Sequence, residues 1–65
     1  MKLVVKNYST DEVEWTLEAE LITVYKIQEH SPDYLRHTAV VQVFDYRMNY
    51  LGRLNIDYGS KWELS

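Results

Sequence analysis

Asp45 and Asp57 are the side chains in this sequence whose spacing most readily suggests chemistry. Asn49-Tyr50-Leu51-Gly52 reads as a type I turn, Asn first and Gly fourth, closing a bulged three-residue loop that pairs Asn49 with Arg53. That register sets Met48 against Leu54, Tyr46 against Ile56 and Phe44 against Tyr58 on one face. The other face receives Arg47 against Asn55 and Asp45 against Asp57. Two carboxylates held directly opposite one another raise one pKa and can act as an acid/base pair or hold a cation. Arg47, diagonal to Asp57, offers the plainer outcome of a neutralised charge ladder. His30 and His37 flank Asp33, three side chains of metal-ligating type. Their spacing matches no zinc signature, and two solvated loop histidines are the simpler reading. No nucleophile motif, glycine-rich phosphate loop or HExxH is present, so we expect no enzyme, no catalytic or metal-binding residues and no cofactor.

Two surfaces have the composition of binding sites. Asp11, Glu12, Glu14, Glu18 and Glu20 follow one another with no intervening base. On a strand, Glu12, Glu14, Glu18 and Glu20 share one face at intervals of about 7 Å, from a rise of about 3.4 Å per residue. A negative row of that pitch imitates a nucleic-acid backbone and attracts the basic groove of a nucleic-acid-handling protein. The alternative is a solvated face that keeps an edge strand from pairing with other chains. The second surface is aromatic and basic: Tyr46, Tyr50, Tyr58 and Trp62 lie near Arg47, Arg53 and Lys61, a mixture on which single-stranded bases can stack. The expected hairpin sends Tyr46 and Tyr58 into the core. Tyr50 at the loop tip and Trp62 near the end then remain as exposed anchors, with Arg47 and Arg53 beside them.

These residues must be positioned by a small scaffold. A chain of 65 residues makes one domain, residues 1–65, and buries about 60% of its unfolded surface. Without cysteine it has neither disulfides nor thiolate metal sites, so dense packing or self-association must supply its stability. Hydrophobic residues at 46% and aromatics at 14% favour packing, and two glycines and one proline argue against a linker. The net charge of −3 disfavours a nonspecific nucleic-acid binder. The apolar run Leu3-Val4-Val5 is too short for a secretory signal or a membrane span, so the cytoplasm is the expected compartment and no membrane partner is expected.

Leu3-Val4-Val5 reads as a first strand. From Val13 to Leu21 apolar and polar residues alternate at strand period, whereas Val13, Leu17, Leu21 and Val24 fit a helix behind a Ser9 to Glu12 capping box. Strand propensity at Thr16, Thr23, Val24, Tyr25 and Ile27 favours the former. Beyond Leu21 the parity slips to Ile22 and Val24, as a bulge or a strand buried on both faces would require. Ser31-Pro32 starts a turn or a short helical turn. Ala39, Val40, Val41 and Val43 are apolar on both parities, marking a central strand. Gly59-Ser60 turns the chain, and Trp62 and Leu64 then share one side of a short edge strand or lid. The expected fold is mainly β: a small twisted antiparallel sheet or open barrel of four to five strands. The alternative is α+β, with a strand, a helix over 10–28 and a hairpin. We expect a non-enzymatic interaction protein, an inhibitor or accessory subunit that binds another protein through its acidic stripe and forms a homodimer. The alternative is a single-stranded nucleic-acid-binding domain using the Tyr/Arg surface.

Overall fold

The computed structural model describes residues 1–27 and 37–65. Among the described residues six strands form: β1 (Lys2–Asn7), β2 (Val13–Glu18), β3 (Leu21–Lys26), β4 (His37–Phe44), β5 (Tyr50–Asp57) and β6 (Ser60–Leu64). They make two three-stranded antiparallel sheets, ordered β2-β1-β6 and β3-β4-β5. The mainly β architecture is therefore the one the alternation implied, but among the described residues it has six strands in two sheets, where four to five in one sheet or open barrel were expected, and no closed barrel. Among the described residues there is no helix, hence none long and apolar enough to cross a membrane.

The segment read either as strand or as helix is two strands. Ser9 and Thr10 do not cap a helix: both donate their backbone N–H to Asn7 Oδ1, at 2.9 and 3.1 Å, inside the turn between β1 and β2. Asp11 completes that turn at φ 63°, a left-handed conformation that Asp tolerates better than most residues. Along β2, Trp15 lies opposite Val5 and Leu17 opposite Leu3, so odd-numbered residues face the core. At Ala19–Glu20 the chain leaves one sheet for the other, and Ile22 and Val24 become the inward residues. The change of parity is thus a corner between sheets.

Sheet pairing places Leu17, Leu3 and Leu64 in one row and Trp15, Val5 and Trp62 in the next. Facing them are the rows Ile22–Val43–Gly52 and Val24–Val41–Leu54 and the pair Ala39–Ile56. Leu3, Val5, Ile22, Ala39, Val41, Val43 and Ile56 are buried, with Trp15, Leu17, Val24, Trp62 and Leu64 packed around them. Burial of each such aliphatic side chain contributes roughly 1.5–3 kcal/mol. The central β4 is covered on both parities, since outward-facing Val40 is buried as well as Val41. The smallest extent of the Cα trace is 13 Å, which fits two layers about 10 Å apart.

The β4–β5 hairpin forms with a different turn and register from those expected. Its loop runs from Asp45 to Asn49, and Phe44 lies opposite Tyr50, Val41 opposite Leu54 and Ala39 opposite Ile56. Gly52 sits inside β5 opposite Val43, next to a bulge at Leu51. Asp45 overrides the Asn49–Gly52 turn signal because its carboxylate closes the loop. Oδ1 accepts the backbone N–H of Arg47 at 2.8 Å and of Asn49 at 2.9 Å, and Oδ2 accepts from Asn49 Nδ2 at 3.0 Å. Tyr46 and Tyr58, expected in the core, are exposed at 73% and 79%. Trp62, expected as an exposed anchor, is half-buried against the core beside Val5.

Candidate functional site

The Asp45/Asp57 pair does not assemble. Asp45 opens the β4–β5 loop while Asp57 ends β5, about 24 Å away at a rise of about 3.4 Å per residue. Asp45 is also fully engaged: hydrogen bonds from Asn49, then Arg47, hold its carboxyl below the ordinary carboxylate value. Of the proposed metal cluster, His30 and Asp33 lie outside the described residues, as does the Ser31-Pro32 turn. Among the described residues, no group of three His, Asp or Glu side chains is placed to hold a metal.

The carboxylates of β2 face solvent on the outside of the β2-β1-β6 sheet. Their neighbours on that face change the charge pattern read along the chain. Lys2 lies directly opposite Glu18, and Lys6 stands at the bulge where β2 passes Val13 and Glu14. Glu14 accepts a hydrogen bond from Ser60 Oγ, reaching across the end of β1. Lys6 Nζ is 4.0 Å from Glu63, and Lys61 pairs with Asp11. The hydrogen-bonded Lys61 ammonium lowers the Asp11 pKa, and Asp11 in turn raises that of Lys61. The row is therefore a mixed-charge face, with Glu12 and Glu20 at its exposed ends.

The opposite side of the molecule is aromatic. On the outer face of the β3-β4-β5 sheet, pairing makes the rows Leu21–Phe44–Tyr50, Thr23–Gln42–Arg53 and Tyr25–Val40–Asn55. The bulge at Leu51 puts Tyr50 and Arg53 on the same face, which strict alternation would forbid. Phe44 and Tyr50 pack edge to face, ring centroids 5.7 Å apart at 67°. In the loop beyond, Arg47 lies over the Tyr46 ring at 5.4 Å. Tyr46, Met48, Tyr50 and Leu51, all within one hairpin end, are exposed by 73, 65, 55 and 62%.

Met48 adopts φ 66°, a conformation costing a non-glycine residue roughly 1–2 kcal/mol. The loop geometry requires that conformation: Met48 N–H donates to Asp45 O at 3.0 Å and Asp45 N–H to Asn49 O at 3.1 Å, a type I turn closed by a left-handed residue, and it holds the flexible apolar side chain outward. Sequence reasoning found Tyr50, Arg47 and Arg53 here, named Tyr46 but sent it to the core, and missed Met48. The available signal was Asp45 followed at two and four residues by the donors it captures. A shallow cleft of about 500 Å³ adjoins this end, lined by Met1, Ala19, Val43, Phe44 and Leu51 with Glu18, Glu20 and Asp45 at its sides.

Neither a protein-family model, nor a curated protein, nor a solved structure gives a significant match to this chain.

Proposed function

We propose that this protein is a non-enzymatic binding module, an accessory subunit or inhibitor, that docks on another protein through the end of its β4–β5 hairpin. The observation that carries this is the cluster of exposed apolar side chains at one hairpin end, where Met48 stands beside Tyr46, Tyr50 and Leu51. Aromatic and Met residues next to Arg are the composition of interface cores. Asp45 pre-organises the loop, so little chain entropy is lost on binding. The fitting partner presents an apolar pocket rimmed by carboxylates to receive Arg47 and Arg53. The β2 carboxylates are a weaker choice of contact, because imitation of a phosphate backbone needs a row without counter-charges and Lys2 and Lys6 stand within this one.

Capture from the native cell with the wild-type chain, a Tyr46→Ala/Met48→Ala variant and a Glu14→Lys/Glu18→Lys/Glu20→Lys variant tests this. A protein partner lost with the loop variant and kept with the charge reversal is the expected result. Loss with the charge reversal alone would transfer the site to the acidic row and to a basic, nucleic-acid-handling partner.

A second reading is favoured by one observation: Phe44, Tyr50, Tyr25 and Arg53 share the outer face of one sheet, as a single-strand stacking platform would need. It predicts binding to mixed single-stranded oligonucleotides that falls steeply with salt. No anisotropy change at low salt would remove it.

A further inference from the structure

We infer that a second copy of this chain covers the open edge of β5, by antiparallel pairing of β5 with itself about a two-fold axis at Asn55. This goes beyond the docking site proposed above and does not depend on it: the two share Arg53, but self-association of the purified chain is read without the protein partner, and Asp57 belongs to the strand edge alone. β5 pairs with β4 on one side and, among the described residues, forms no ladder on the other. Its exposed residues include Leu54, 43% accessible although its row faces the core. Natural edges are usually blunted by charged side chains, lysine above all, by proline or by a bulge; the run Arg53–Asp57 has no lysine, proline or bulge, and its two charges, Arg53 and Asp57, are of opposite sign.

The choice of a second copy, and of the register, comes from charge and face together. Two copies extend one sheet only if inward residues meet inward residues, which excludes every odd-numbered slip. Centring on Arg53 sets like charges opposite each other. Centring on Leu54 leaves Arg53 opposite Asn55 and Gly52 opposite Ile56, an unpaired charge and a void. Centring on Asn55 instead sets Arg53 opposite Asp57, Leu54 opposite Ile56 and the two Asn55 amides opposite one another. Each residue of the ladder then meets a complementary one, and each Arg–Asp pair occurs twice by symmetry. The β3-β4-β5 sheets of the two copies then become one continuous sheet, and Leu54 is covered by the partner copy.

Sedimentation equilibrium on the full chain, from micromolar to millimolar concentration, tests this, because a short edge-to-edge ladder makes a weak dimer. The wild type is expected to show a reversible monomer–dimer equilibrium. Arg53→Asp or Asp57→Arg alone turns two attractions into two repulsions and should raise the dissociation constant about tenfold or more. The double variant Arg53→Asp/Asp57→Arg should return it to within about threefold of wild type. Both positions are exposed, and circular dichroism of each variant checks that the fold is kept. A wild type that stays monomeric at millimolar concentration overturns the inference. So does a dimer that both single reversals leave unchanged, or one that the double reversal fails to restore.

Discussion

Ile56 and Tyr46 separate the hairpin register seen in the structure from the one that the Asn49–Gly52 turn signal implies. In the latter they face one another in the core. In the structure Ile56 is fully buried beside Ala39, whereas Tyr46 is 73% exposed in the loop. Truncating a buried Ile to Ala costs about 2–5 kcal/mol from lost transfer free energy and the cavity left behind. Ile56 lies on an edge strand, where neighbours can partly collapse, so we expect about 3 kcal/mol. A domain of 65 residues has a total stability of roughly 3–10 kcal/mol, so that loss is a large fraction of it. The melting temperature should fall by about 12–24 °C, at about 4–8 °C per kcal/mol. Tyr46→Ala removes only the Arg47 contact and exposed surface, less than about 1 kcal/mol. Urea unfolding followed by the fluorescence of half-buried Trp15 and Trp62 gives both numbers in one assay. A Tyr46→Ala loss equal to that of Ile56→Ala would refute the observed register and every face assigned from it.

Met48→Gly should raise stability by about 0.5 kcal/mol in the same assay, since glycine adopts φ 66° without penalty but costs chain entropy. The same variant should weaken capture of the protein partner, and unchanged capture would count against Met48 as an anchor. Asp45→Ala should speed amide exchange at Arg47 and Asn49, which lose their acceptor, while leaving exchange in β1 unaffected. Asp11 and Asp45 both titrate below their ordinary value of 3.8 in the folded protein. Their contribution is therefore complete above pH 3.8 and lost as pH falls through the lower folded values, and an Asp11→Asn variant should flatten this acid limb. Lys61, raised above 10.5 chiefly by its hydrogen bond to Asp11, contributes fully below that pH and loses its contribution as pH rises through the higher folded value.

Much of the fold was legible from residue pattern. The alternation from Val13 to Leu21 identified β2, and apolar residues on both parities at Val40 and Val41 marked β4 as central. Trp62 and Leu64 were assigned to one side of an edge strand, and they share the core-facing side of β6. Period and burial are properties of a few adjacent residues, so one strand suffices to show them. Hairpin register is different. Asp45 and Asn49 both begin plausible turns, and choosing between them depends on which side chains the opposite sheet can cover. The misplaced turn carried the site with it: Tyr46 and Tyr58 were sent to the core, and Asp45 was paired with Asp57.

Residue type and order by themselves determined that this chain makes strands, which strand is central and where the chain turns at Gly59. Tertiary structure alone decided that the chain crosses between two sheets at Ala19–Glu20, so that an apparent irregularity in one strand becomes a corner. It also decided that Lys2 and Lys6 interrupt the carboxylate row, and that Tyr50 and Arg53 share a face. The physical reason is common to all three. Each depends on pairing between segments distant in sequence, and pairing is set by the burial of both partners together, which no single segment encodes.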